Sequence, residues 1–198
     1  MELKGKKLNI LGDSITEGVG ASGPEHGFVR LLENRSGALC RNYGVAGTRI
    51  APQHCEPAGD DFCTRALQMD PEADAVVVFG GTNDFGHGDA PLGAFGDRTP
   101  ATFWGALHTL FTRLEERFPG VKIVVATPMR RAVEHKEGKA DLCDYVRAIR
   151  QTAAAFGLPV LDLYEREDLS VYTPDGLHPN DEGHALLARL FQNFLQTL

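Results

Sequence analysis

Ser14, Asp175 and His178 are residues of this sequence whose types and spacing could do nucleophilic chemistry. A serine hydroxyl is a poor nucleophile until a base takes its proton, so Ser14, in the stretch NILGDSITEGVG, needs an imidazole from elsewhere in the chain. The stretch DGLHPND supplies His178, and Asp175 precedes it by three positions. In a tight turn that spacing lets the carboxylate hold one ring nitrogen while the other faces the serine. The carboxylate then fixes the tautomer and stabilises the imidazolium formed during attack. Pro174 and Gly176 suit such a turn, and Pro179 discourages His178 from joining the helix that follows. Acyl transfer to such a serine also places negative charge on the carbonyl oxygen, and one donor aimed there typically removes about 3 kcal/mol from the barrier. The candidate donors are the backbone N–H of Ser14, that of a glycine in NYGVAG, and the side-chain amide of Asn83 in GGTND.

Short β-rich runs alternate with segments of helical period, the pattern of a parallel sheet with crossover helices. Five strands are expected, near residues 8–11, 39–43, 75–79, 122–126 and 159–163. The third, AVVVFG, is apolar on both faces and reads as a central strand covered on each side. Helical stripes run through Phe28, Leu31 and Leu32, through Phe103 to Phe118, and through Leu142 to Phe156. A last one follows the N-cap Asn180, with Leu186, Leu187, Leu190, Phe194 and Leu195 expected to face the core. Residues 47–64 and 85–100 read as long loops. Ligands of open parallel sheets sit outside the carboxyl ends of the strands. Polar, glycine-rich segments follow strands one to three here (GDSITEG, GVAGTR and GGTND), TPMRR follows the fourth, and all four are expected on one rim.

GDS at 12–14, NYGVAG at 42–47, GTND at 81–84 and DGLHPN at 175–180 resemble, in order and across nearly the whole chain, the four sequence blocks of the SGNH (GDSL-type) hydrolases. The resemblance implies a three-layer α/β/α sandwich built on a flavodoxin-like five-stranded sheet, and a serine esterase mechanism that needs no metal or organic cofactor. It makes Ser14 the nucleophile, His178 the base and Asp175 its orienter, with Asn83 and two backbone N–H groups as oxyanion donors. In the family pattern the donor glycine lies five positions after the block's asparagine, which from Asn42 gives Gly47. Gly44 is left with a conformational role where strand two ends.

Composition narrows the remaining classes. A chain of 198 residues, 42% hydrophobic, can bury one substantial core, and residues 1–198 are read as one catalytic domain. A net charge of −7 argues against an extended nucleic-acid or anionic-membrane surface. No apolar run has signal or membrane-spanning length, so a cytoplasmic location without stable membrane association is expected. Cys40, Cys55, Cys63 and Cys143 lack C-x-x-C spacing and read as free thiols. Asp13 reads as fixing the nucleophile's turn through backbone hydrogen bonds, and Asp84 as a structural residue of the polar turn after strand three. His178, His184 and Asp175 are the rival metal set, disfavoured because Pro179 and a helix start separate the histidines. Trp104 is a core residue or part of an acyl or sugar pocket. The expected reaction is hydrolysis of a small O-acyl ester, such as an acetylated sugar, through an acyl-Ser14 intermediate. Lysophospholipid or thioester cleavage, acyl transfer by the same intermediate, and a non-catalytic binding relative are the alternatives.

Overall fold

The computed structural model describes residues 1–52, 60–88 and 90–198. Strands β1 (Lys7–Gly12), β2 (Leu39–Gly44), β3 (Ala75–Phe79), β4 (Lys122–Ala126) and β5 (Val160–Leu161) form one sheet in the order β2-β1-β3-β4-β5, with every neighbouring pair parallel. That is the doubly wound order of flavodoxin-like folds, whose switch point lies between the first and third strands. All five residues of β3 are buried. Ala75, Val77 and Phe79 pack toward one face, and Val76 and Val78 toward the other, as the two-residue period of a strand requires.

Helices α2 (Phe28–Ser36) and α7 (Asp181–Gln196) cover the first face. Helices α5 (Phe103–Arg117) and α6 (Leu142–Ala155) cover the second, with the short α3 (Phe62–Arg65) beside them. Their starts are capped as the side chains dictate: Thr102 accepts from the Gly105 N–H at 3.1 Å, and Asn180 from the Gly183 N–H at 3.0 Å. On α7 the buried ring is Phe191, stacked on Phe28 at 5.1 Å and tilted against Phe79 at 5.7 Å. Leu190 and Phe194, expected in the core, are only partly buried, because the inward stripe runs through His184, Leu187, Phe191 and Leu195.

Two short helices open directly after strands: α1 (Ser14–Glu17) follows β1, and α4 (Thr82–His87) follows β3. Neither is long enough to carry a hydrophobic period, so the sequence reads as turns and loop there. The expected fifth strand, at 159–163, is shorter: Pro159 has no N–H to donate at its start, and past Leu161 the Thr127 hydroxyl bonds the Asp162 side chain and the Tyr164 N–H. Cys40, Cys63 and Cys143 are free thiols, while Cys55, His54 and Pro57 lie outside the described residues. Trp104 is almost fully buried, meets Phe95 edge-on at 5.6 Å, and with His108 and Phe156 lines a cavity of about 260 Å³. Among the described residues no helix is long and apolar enough to cross a membrane.

Candidate active site

Ser14 is the first residue of α1, at the carboxyl end of β1. Asp13 caps that helix by accepting from the Ile15 N–H at 3.0 Å. It is buried, and burial pushes its carboxyl up to about 7 in spite of that hydrogen bond. The serine side chain is thereby held at the mouth of the sheet, with Oγ 3.0 Å from His178 Nε2.

The histidine sits in the turn before α7. Asp175 Oδ1 accepts from the backbone N–H of Leu177 at 2.9 Å and of His178 at 2.7 Å, and its Oδ2 lies 2.6 Å from His178 Nδ1. Burial works against the charge on Asp175, but these three hydrogen bonds outweigh it and hold the carboxyl down to about 2. An ionised carboxylate only accepts, so Nδ1 carries the ring proton and Nε2 presents its lone pair to the Ser14 hydroxyl. The turn is tied down on two sides. The Ala132 N–H donates to Gly176 O at 2.8 Å, and the Asn180 N–H to Tyr172 O at 2.8 Å. Gly20, at a φ of 95°, lies so close that a Cβ there would stand 2.3 Å from Pro179 O and 3.0 Å from His178 Cβ.

Asn83 lies in the first turn of α4 and donates from Nδ2 to Thr48 O at 3.1 Å. An amide nitrogen has two hydrogens, so one remains to point at a ligand. Gly47 is exposed, with a φ of 75°, in the segment directly before Thr48. Among the described residues, neither the Ser14 N–H nor the Gly47 N–H has an acceptor. Gly44 serves the backbone instead. A Cβ on it would lie 2.2 Å from Glu17 N, so its missing side chain is what lets β2 end against α1. Asn42 seals that contact, donating to Thr16 O at 2.8 Å and accepting from the Gly44 N–H at 2.8 Å.

Asp84 turns inward and accepts from the Ile50 and Ala51 N–H groups at 3.0 and 2.9 Å. Burial pushes its carboxyl up to about 6. His184 is fully buried, with Nδ1 accepting from the Phe28 N–H at 3.2 Å and Nε2 donating to Val19 O at 3.2 Å. Both ring nitrogens are thus engaged within the fold, and its place is structural. Three residues near the site have no signal in the sequence. Glu17 accepts from the Ala46 N–H at 2.6 Å, Thr48 bonds Val45 O at 2.7 Å through its hydroxyl, and Arg65 lies buried beneath the rim. A charged residue on a four-residue helix looks like surface, and only the packing reveals it.

A parallel α/β sheet with a serine, a histidine and an aspartate hydrogen-bonded in series at its switch point defines a class, and comparison supplies the family. The model of the GDSL-like lipase/acylhydrolase family matches residues 10–186, and the chain belongs to that family of hydrolases. It is 28% identical over 189 residues to GDSL lipase Rv0518 of Mycobacterium tuberculosis, covering 90% of this chain and 77% of that one. A crystal structure of a protein from Lactobacillus plantarum is 31% identical and superposes with a TM-score of 0.86 over 98% of both chains. The lipase/acylhydrolase from Enterococcus faecalis shares the fold, with a TM-score of 0.68 at 23% identity over 97% of this chain and 96% of that one.

Proposed function

We propose that the chain is a serine esterase, acting as a single catalytic domain on a small O-acyl ester such as an acetylated sugar. The observation that carries this reading is the hydrogen-bonded series Ser14 Oγ, His178 Nε2, His178 Nδ1, Asp175 Oδ2, with separations of 3.0 and 2.6 Å at its two links. As Ser14 Oγ attacks the ester carbonyl, its proton passes to His178 Nε2, and Asp175 stabilises the imidazolium. The carbonyl oxygen takes up the negative charge and is met by the Ser14 N–H, the Gly47 N–H and the free hydrogen on Asn83 Nδ2. Collapse breaks the bond to the alcohol, which leaves with the proton from Nε2. Water, deprotonated by the same nitrogen, then releases the acid and restores Ser14.

The loops that follow the strands support a polar alcohol. In the segment after β4, Val133 is the one large exposed apolar side chain among the described residues, while Arg130, Arg131 and Lys136 are half-buried and bonded within the fold. Ser14→Ala should abolish hydrolysis of p-nitrophenyl acetate while leaving the thermal unfolding transition in place. Undiminished turnover by the folded variant would refute the assignment. A panel of acyl esters from acetyl to palmitoyl, with acetylated saccharides, should show highest kcat/KM at the short end.

A further inference from the structure

The oxyanion donors assigned above come from three separate segments, after β1, β2 and β3, and such donors act only if their spacing is fixed before the reaction. One side chain touches the first two of these segments directly and reaches the third through a single residue. Arg65 is 7% exposed and lies under the rim on α3. Its Nη2 donates to Gly12 O at 3.0 Å, two residues before Ser14, and to Thr48 Oγ1 at 2.7 Å, one residue after Gly47. Its Nη1 donates to Tyr43 O at 2.5 Å at the end of β2, and its Nε to Asp60 O at 2.8 Å. Four of the five guanidinium hydrogens are therefore spent on carbonyl or hydroxyl oxygens of the scaffold. Thr48 passes the contact on, because its carbonyl accepts the Asn83 amide at 3.1 Å.

We propose that Arg65, acting through Thr48, is the positioning residue of the oxyanion hole: it sets the separation of the Ser14 N–H, the Gly47 N–H and the Asn83 amide. The inference rests on the esterase reading above. Arg65 stays behind the donors and does not reach the substrate, so it changes how tightly the developing oxyanion is held, not how substrate docks. A planar fork with fixed angles is suited to this, since its acceptors lie on separate segments of the chain. A lysine ammonium, a single point with three hydrogens, cannot span the same four acceptors.

The test measures p-nitrophenyl acetate hydrolysis, inhibition by phenylboronic acid and thermal unfolding for the full chain and for Arg65→Lys, Thr48→Val and Ser14→Ala. Boronic acids form a tetrahedral adduct with a reactive serine and so report on oxyanion binding without turnover. Thr48→Val keeps the side-chain shape and deletes two bonds, the one Oγ1 accepts from Arg65 and the one it donates to Val45 O, so it should still fold and lower kcat about fivefold with KM changed less than about twofold. Arg65→Lys should lower kcat by about tenfold or more, again at nearly constant KM, and boronate affinity should weaken in step with kcat/KM. Loss of packing alone would shift the unfolding transition without that parallel change in boronate affinity. If Arg65→Lys does not fold, Thr48→Val decides by itself. Wild-type kcat in folded Thr48→Val or Arg65→Lys, or a rise in KM at constant kcat, overturns the inference while an inactive Ser14→Ala leaves the esterase reading standing. Activity surviving in Ser14→Ala overturns both.

Discussion

The two halves of the site are held in opposite ways. The half that carries Asn83 and Gly47 rests on a buried polar web: Arg65, Thr48, Asn83 and Asp84 are all nearly inaccessible, and bonds that span 17 or more positions of the chain join them to one another and to the backbone. The half that carries His178 is an open turn, in which the Asp175 side chain is 54% exposed and its three hydrogen bonds all fall within three residues. A self-contained turn can hold an imidazole without deep burial, because the carboxylate supplies both the backbone bonds and the ring bond. Donors drawn from several strands have no such local device and must be fixed from beneath. Buried polar groups left unpaired are costly, so the web is an all-or-none arrangement, whereas the carboxylate bonds of the turn are local to it.

The sharpest way to break the comparison is Asn83→Ala. It removes the amide from the proposed oxyanion hole and leaves the open turn untouched, so kcat should fall by about 100-fold while KM changes little. A variant whose KM rises at constant kcat would move Asn83 from the transition state to substrate docking. In the open half, Gly20→Ala should act by displacement. Alanine is strained at a φ of 95°, and its Cβ meets Pro179 O, so the His178 turn must move away. A shift of a fraction of an ångström in a general base should lower kcat by roughly tenfold. Stability should fall by about 1–3 kcal/mol, as for a strained backbone position. The paired measurement is the unfolding midpoint with kcat, and an unchanged kcat would mean that the turn is held by Ala132 and Tyr172 alone.

The same contrast explains what could be read from the sequence. The sheet was legible because β3 and β4 carry uninterrupted apolar runs, and both match their expected bounds residue for residue. Asp175 and His178 were legible as a pair because their geometry is local and the turn residues between them announce it. Asp84 could be read as structural, but its partners Ile50 and Ala51 lie more than 30 positions away and could not be named. Arg65 was not legible at all. Its role depends on where the ends of β1 and β2 arrive together, which follows from strand order rather than from any spacing around position 65. The short α1 and α4 escaped for a related reason, since they are held by caps and contacts and carry no periodic apolar face.

The smallest expected effect is also the one that sets the halves against each other most directly, because their carboxyls should titrate with opposite sign. In the web, burial raises Asp84 from an ordinary 3.8 to about 6, so the folded chain binds that proton more tightly than the unfolded chain does. Its contribution to stability is then fully present below pH 4 and is lost as pH rises through about 6. In the turn, the hydrogen bonds that outweigh burial lower Asp175 from 3.8 to about 2, so its contribution is present above pH 4 and is lost as pH falls through about 2. Urea midpoints of the wild type, Asp84→Asn and Asp175→Asn between pH 3 and 7 separate the two. As pH is lowered from 7 to 4, the wild type should gain stability relative to Asp84→Asn, and from 4 to 3 it should lose stability relative to Asp175→Asn. Slopes of the same sign in both comparisons would mean that the buried carboxylate is held as an ion by its two backbone N–H donors, and that the web and the turn solve the burial of charge in one way.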